Sequence, residues 1–428
     1  QVTDGVLETL GKKCNLKGHQ VKNTLFVMVK ATLVNPTFSS QVKDECTLKV
    51  GQFGSRWEPV KTFHKQVLQK TGIQAEIDAL NRVKAEKELK KTDGSRLKSR
   101  LTGIPKLDDA NWAGTIRGDQ CTLILTEGDS AKALAVAGLT VVGRDKYGVF
   151  PLRGKPKNIR DCSAEQVTAN AEFNSVKQIL GLKHGHTYTS IKELRYGRMM
   201  IMTDADNDGS HIKGLVLNNI HAFWPELISL GFVVSMVTPI IKATKGTQNK
   251  WFFTENAYRE WWETHPQGWK IKYYKGLGTS TAVEAKEYFK AIDRLTVRFD
   301  ADDETDDMMT LAFDKTQADA RKHWLTRASE ESKTLSVPYG DVRELTVSNF
   351  ITRDMVHFSL ADIHRSIPHM MDGLKPSQRK VIFAAFKRNL TQDVKVAQFA
   401  ALLLGNVALA LGPWSVRLAD SGPVSAAP

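Results

Sequence analysis

The chain has 428 residues, 41% of them apolar, and 14 prolines; this excludes a disordered polymer and suits roughly two to four folded domains. Sixty Lys and Arg stand against 47 Asp and Glu, a formal net charge of +13, so nucleic acid is the leading partner. Cys14, Cys46, Cys121 and Cys162 show no C-x-x-C spacing, and no apolar run approaches membrane-spanning length; zinc, a disulfide framework and a membrane partner are all disfavoured.

In chain order, residues 21–33 (VKNTLFVMVKATL) predict a strand closed by the turn Asn35-Pro36. Residues 59–100 are rich in Lys with Ala, Leu, Glu and Gln, and predict helix with a solvated basic face. A linker follows near Gly103-Ile104-Pro105. From about 119 to 240 the pattern runs strand, helix, strand, helix, strand, the signature of a parallel sheet covered by helices. Within it, 130–139 (SAKALAVAGL) predicts a helix capped by Asp129 or Ser130 and stopped by Gly138. A second helix is expected over 211–231, interrupted at Pro225. Residues 251–274 mix aromatics with Lys and predict a strand-rich satellite. The acidic run Asp300–Asp307 reads as a solvated loop, and 377–390 (SQRKVIFAAFKRNL) as a basic amphipathic helix. No internal repeat is present. The start at Gln1, with no basic-then-apolar leader, reads as a piece of a longer protein.

Two acidic clusters carry the most chemistry. Glu127-Gly128-Asp129-Ser130 follows the apolar run 121–125, and Asp204-Ala205-Asp206-Asn207-Asp208-Gly209 follows 199–202. Each places carboxylates where a buried strand leaves a sheet, the edge at which open α/β sheets build their sites. Alone, Glu127 reads equally well as a charge favouring a helix N-terminus. The second cluster opens like an EF-hand loop, but the twelfth position is Leu215 in place of the bidentate Glu, and a strand pattern precedes it. Asp204 and Asp206, two apart, would share one face of an extended chain, with Asp208 close by. Carboxylates so crowded call for a cation, and an all-oxygen set suits Mg²⁺ acting on a phosphate backbone.

With Pro151-Leu152-Arg153-Gly154-Lys155 between them, these clusters resemble the TOPRIM domain of type IIA DNA topoisomerases. Tyr273-Tyr274-Lys275-Gly276-Leu277-Gly278-Thr279 and Arg365-Ser366-Ile367-Pro368, then Asp372-Gly373-Leu374-Lys375-Pro376-Ser377-Gln378-Arg379-Lys380, resemble the eukaryotic DNA topoisomerase II version. One chain carrying both regions fits that eukaryotic type. The resemblance spans about 18–398 and is thinner between 56 and 100. It implies an α/β fold: a Rossmann-like parallel TOPRIM sheet flanked by a transducer remnant and a partial, mainly helical winged-helix domain. The implied boundaries are 1–58 for the transducer end, 59–118 for a helical linker and 119–240 for TOPRIM. An associated insert and connector then takes 241–340, the start of the cleavage domain 341–398, and a tail outside the family 399–428.

By motif match the resemblance gives Mg²⁺ the ligands Glu127, Asp204, Asp206 and Asp208, with Glu127 also catalytic through the metal. It gives double-stranded DNA the contacts Arg153, Lys155, Asn158, Lys275, Arg321, Lys322, Lys375, Arg379 and Lys380. As lone residues these read as solvated, and Lys275 as part of an ordinary glycine turn. Asn35–Lys43 resembles the loop ending the ATPase transducer, so Gln41 and Lys43 would reach ATP held mostly outside this chain; Val42 departs from the usual Thr. A homodimer, a nuclear location and ATP-dependent double-strand cleavage and religation are what the family implies. The nucleophile expected after an Arg in the winged helix is missing, since no tyrosine follows Tyr339. The last 30 residues look like a frameshift or misjoined exon. The chain alone is therefore expected to be inactive, and a non-cleaving DNA-binding module is the competing reading. A primase or a nuclease of another TOPRIM class would lack the Asp372–Lys380 motif.

Overall fold

Six residues with five buried side chains, Thr122–Glu127, form the strand β1 of the molecule's main sheet. The computed structural model describes residues 2–10, 18–30, 32–54, 57–60, 62–95, 101, 103–265, 268–331 and 335–400. They fall into two units, 1–91 and 92–428.

In the second unit, β1 lies parallel to β2 (Tyr147–Leu152) on one side and to β3 (Arg198–Met202) on the other. The strand β4 (Val233–Met236) continues the parallel set beside β3. Near-continuous apolar runs such as Met199-Met200-Ile201-Met202 are what a sheet buried on both faces requires. Two buried clusters cover those faces, one containing Leu123, Leu125, Ile201 and Trp224, the other Ile124, Met200, Met202 and Phe289.

The sheet extends beyond the expected span. The strand β8 (Thr296–Asp300) pairs antiparallel with β4, and β9 (Glu344–Thr346) lies parallel to β8, giving the order β2-β1-β3-β4-β8-β9. Between β4 and β8 the chain makes a three-stranded antiparallel sheet, β5 (Ile241–Lys245), β6 (Gln248–Phe252) and β7 (Lys270–Tyr273), in the order β6-β5-β7. The span 251–274, expected to be strand-rich, has strand only at its ends: Tyr258, Trp261 and Trp262 sit on a helix, Glu255–Thr264, that packs Trp261 on Phe252.

The helix after β1 runs Gly128–Val142 and ends at Gly143, whose φ is +82°. Gly138 does not stop it. A Cβ at Gly138 would lie 2.1 Å from the Phe289 ring, so this glycine admits the helix Ala282–Lys290 against the sheet cover. Asp129 and Ser130 lie inside the first turn and do not cap it. The second helix starts earlier than expected, at Asn207, and runs to Phe223; Pro225 opens the separate short turn Glu226–Ser229. The helix Pro376–Lys387 forms as expected. The acidic run is less solvated than its composition suggests, because Asp302 accepts from Thr305 and Ser348, and Asp306 from His221.

In the first unit, helices Phe63–Lys70 and Ile73–Lys90, joined through Gly72 at φ +69°, form within the lysine-rich stretch, of which 96–100 lie outside the described residues. Their Leu68, Ile73 and Ile77 bury against Val6 of the helix Val2–Leu10 and against Val21. The strand expected over 21–33 is not formed among the described residues; Phe26, Met28 and Val29 are exposed. A strand needs a neighbour to take its backbone hydrogen bonds, and none of the described residues lies beside this run as one.

One polar link of the acidic run, through Asp306 in the first turn of the helix Thr305–Phe313, sets a pH dependence. Arg160 Nη2 donates to His221 Nδ1 at 2.9 Å, so Nε2 carries the proton and donates to Asp306 at 2.7 Å. Burial, aided by Arg160, pushes the His221 pKa below its ordinary value against the pull of Asp306. The neutral form is therefore favoured in the fold, and its contribution is complete above the ordinary histidine pKa and lost as pH falls below it. The slope from this one proton is at most about 1.4 kcal/mol per pH unit. Urea titrations between neutral pH and the carboxylate range should show it, and His221→Gln, which keeps an acceptor and a donor, should flatten it.

Candidate metal and DNA site

The chain leaves β1 at Glu127 and leaves β3 just before Asp204, and these two strands are neighbours in parallel register. The two acids therefore meet at one sheet edge: the Asp204 N–H donates to Glu127 Oε2 at 3.3 Å. Burial pushes the Glu127 carboxyl above its ordinary value, and the charges of Asp204, Asp206 and Asp208 add to the shift. Asp204 is also raised, by burial first and then by Asp206, while the Leu277 N–H opposes it from 2.7 Å.

Asp204 and Asp206 are not placed as alternating residues of a strand, since β3 ends at Met202 and a helix starts at Asn207. Asp206 is the N-cap of Asn207–Phe223, its Oδ1 accepting from Gly209 N–H at 2.8 Å. Asp208 lies in the first helical turn and is gripped by two cations, Lys155 Nζ at 2.6 Å and the Arg365 guanidinium at 2.7 and 3.1 Å. These partners, Arg365 foremost, hold its carboxyl well below the usual carboxylate range. Among the described residues no group of three or more Asp, Glu, His or Cys stands together at metal-binding spacing. The donor chemistry still fits a hard cation: two half-buried carboxylates, both shifted toward the neutral form by burial and neighbouring carboxylates, would be relieved by one.

Arg365 was not among the residues singled out from the sequence, though it stands in the Arg-Ser-Ile-Pro motif. Its position at the end of the helix Val356–Ser366, which brings it to Asp208, has no local sequence signal. Asp354 was missed likewise. It accepts from Ser210 Oγ at 2.7 Å and from the Tyr339 hydroxyl, with Lys213 Nζ at 3.8 Å. A cleft of about 180 Å³ lies between this cluster and Asp204 and Asp206.

The predicted DNA contacts divide. Arg153, Lys275 and Lys380 are exposed, and Lys375 half-buried. Lys322 is exposed and pairs with Asp319 at 2.8 Å, and Arg379 forks onto Asp372 at 2.9 Å. Lys155 is committed to Asp208. Asn158 donates to the Phe313 carbonyl and accepts from Asn218, and Arg321 donates to the carbonyls of Leu311, Ala312 and Asp314. Arg321 thus closes the C-terminal end of the helix Thr305–Phe313, a structural job that composition does not reveal. Asn158, Arg321, Lys155 and Lys315 nonetheless line one cleft of about 480 Å³, together with apolar residues such as Phe313 and Phe358.

In the first unit, Gln41 and Lys43 are exposed on a loop closed by Thr47 N–H to Thr37 O at 2.8 Å; Lys43 has φ +63°. Tyr274 and Tyr339 donate to Glu284 and Asp354, and burial pushes both phenols upward, so neither is prepared as a nucleophile. Of the tail expected to lie outside the family, 399–428, residues 401–428 lie outside the described residues.

Comparison with known proteins gives the family. The Toprim domain profile matches residues 122–237, that of the C-terminal associated domain of TOPRIM 236–363, and that of the A-type subunit of DNA gyrase/topoisomerase IV 365–408. The probable DNA topoisomerase 2 of Dictyostelium discoideum is 47% identical over 404 residues, covering 93% of this chain and 26% of that protein. The chain belongs to the eukaryotic DNA topoisomerase 2 family. DNA topoisomerase 2 of Saccharomyces cerevisiae is 46% identical (93% of this chain, 28% of that protein), and human DNA topoisomerase 2-alpha 48% (90% and 26%). This topoisomerase 2 family chain therefore spans about a quarter of the length of the curated relatives it matches. The DNA-binding, cleavage and re-ligation domain of Plasmodium falciparum topoisomerase II matches with a TM-score of 0.64 at 47% identity, covering 72% of this chain and 42% of that one. The α/β architecture is shared with that domain. Among the described residues no helix is long and apolar enough to cross a membrane.

Proposed function

We propose that the chain supplies the Mg²⁺-holding and much of the DNA-contacting part of an ATP-dependent type II DNA topoisomerase, which cleaves and religates both strands of duplex DNA. The observation that carries this reading is the meeting of Glu127 and Asp204 at the ends of adjacent parallel strands, beside the cations Lys155 and Arg365. Glu127 and Asp204 would hold the cation, with Asp206 and Asp208 turning toward it or meeting it through water. When bound, Mg²⁺ supplies charge stabilisation at a phosphate oxygen. Lys155, Lys275, Lys375, Arg379, Lys380, Arg153, Arg321, Lys322 and Asn158 would hold the duplex, chiefly by phosphate, so binding should be sequence-tolerant and salt-sensitive. Lys155 and Arg365 would exchange Asp208 for phosphate as DNA arrives. Gln41 and Lys43 would reach an ATP bound by another part of the intact protein, which would act in the nucleus as a homodimer. The nucleophilic tyrosine would come from outside this chain.

The test combines calorimetric Mg²⁺ titration with DNA binding measured over a range of salt. Asp204→Ala is expected to abolish Mg²⁺ binding while leaving salt-dependent DNA binding largely intact. Unchanged Mg²⁺ affinity would remove Asp204 from the ligand set. A wild-type chain with no salt-dependent DNA affinity would remove the DNA-contacting role.

A further inference from the structure

The turn between β7 and the helix Ala282–Lys290 carries Lys275, whose side chain is the part expected to meet DNA. Its backbone does something else. The Leu277 N–H donates to Asp204 Oδ1 at 2.7 Å. At Gly276, an added Cβ would stand 2.3 Å from Asp204 Oδ2 and 2.8 Å from its Cγ. The main chain of the turn is therefore laid directly on the Asp204 carboxylate. Gly276 has φ −173° and ψ 179°, an extended conformation open to any residue, so what the position demands is lack of volume. Gly278, two residues on, faces open space.

The turn is held firmly enough to impose a position. Leu277 is buried in the core cluster that also contains Ile124 and Met202. Tyr274 N–H donates to Ile240 O at 2.8 Å, and its hydroxyl to Glu284 Oε1 at 2.6 Å. Lys272 Nζ reaches both Glu284 oxygens, at 2.8 and 2.7 Å, and Thr281 N–H donates to the same carboxylate at 2.8 Å. Thr279 closes the turn by donating its hydroxyl to Gly276 O at 2.7 Å. Glu284 thus anchors strand, turn and helix on one acid, and the turn passes that rigidity on to Asp204.

We propose that the Gly276–Leu277 backbone is the positioning element of the cation site: it fixes the Asp204 carboxylate in one orientation and commits one of its oxygens to an amide. The proposal rests on the reading of Asp204 as a Mg²⁺ ligand. Partners of this kind commonly change metal affinity by about 10–100-fold when removed. The same turn carries its own control.

Mg²⁺ affinity would be measured by calorimetry on the purified chain and on four variants, each checked by thermal melting. Gly276→Ala should weaken Mg²⁺ by about 10–100-fold at an unchanged melting temperature, because the added methyl meets the free end of a side chain that can swing away. Gly278→Ala should bind as wild type. Glu284→Gln, which loosens the anchor without entering the site, should weaken binding by a smaller factor. Asp204→Asn should lose binding. Wild-type affinity in Gly276→Ala alongside loss in Asp204→Asn overturns the positioning role and leaves the ligand reading intact. Wild-type affinity in Asp204→Asn overturns both. If Gly276→Ala does not fold, wild-type affinity in Glu284→Gln overturns the proposal by itself.

Discussion

Arg195→Ala should lower the unfolding free energy of the chain by about 3–5 kcal/mol, the range for removing one member of a buried ion pair. Arg195 is fully buried, and its Nη2 meets Asp109 at 2.7 Å while Nη1 donates to the Ile179 carbonyl at 2.7 Å. Asp109 also accepts from the buried Tyr196 hydroxyl at 2.5 Å, and that oxygen in turn accepts from Ala110 N–H at 2.9 Å. Losing the guanidinium leaves a carboxylate, a phenol and a carbonyl to rearrange around a cavity the size of a long side chain. Lysine should rescue little, since a single ammonium cannot serve a carboxylate and a carbonyl in that fork geometry. The double variant Arg195→Met, Asp109→Leu removes both charges and should recover much of the loss. Urea unfolding followed by tryptophan fluorescence would decide; an Arg195→Ala cost below about 1 kcal/mol would mean the pair is hydrated in solution.

Asp354→Ala should cost a similar amount, about 3–5 kcal/mol, and should also loosen the acidic loop. Asp354 has Lys213, itself buried, as its ionic partner, with the Tyr339 hydroxyl and Ser210 Oγ on its two oxygens. Ser210 sits in the helical turn that Asp206 caps and Asp208 occupies. Removing Asp354 therefore releases the start of that helix and strands the ammonium of Lys213. Amide exchange at Gly209 and Ser210 should accelerate in Asp354→Ala more than at the sheet amides of β1 and β3. Asp354→Asn, which preserves acceptance from Ser210, should keep the loop ordered while still losing stability through Lys213. Equal exchange in wild type and Asp354→Ala would show that the loop is held by Asp206 alone.

The parallel strands were legible because burial on both faces leaves long apolar runs, and the two acidic clusters because they follow those runs directly. The meeting of Glu127 with Asp204 follows from strand order. What the sequence hid lies in contacts between distant segments. Arg365 reaches Asp208 across 157 positions, Asp354 reaches Ser210 across 144, and Leu277 reaches Asp204 across 73. None leaves a periodic trace. The run 21–33 failed in the opposite way: its composition favours a strand, but no neighbouring strand among the described residues completes it. Gly138 misled because glycine ends helices through backbone freedom, whereas here it serves by having no side chain under Phe289.

The main sheet also carries a consequence for the order in which the protein is made. Its four parallel strands are complete by Met236, but β4 is then an open edge, and the strand that covers it, β8, emerges only after another 60 or so residues, with β9 later still. During synthesis the nascent chain must hold the apolar β4, with one edge unpaired, through the making of the entire three-stranded insert. That insert is thus more than an appendage: its quick, local hairpin pairing shortens the effective loop over which β8 must return. A fragment ending where the Toprim match ends, at residue 237, would keep the acids of the site and lose the strand that seals the sheet beside them.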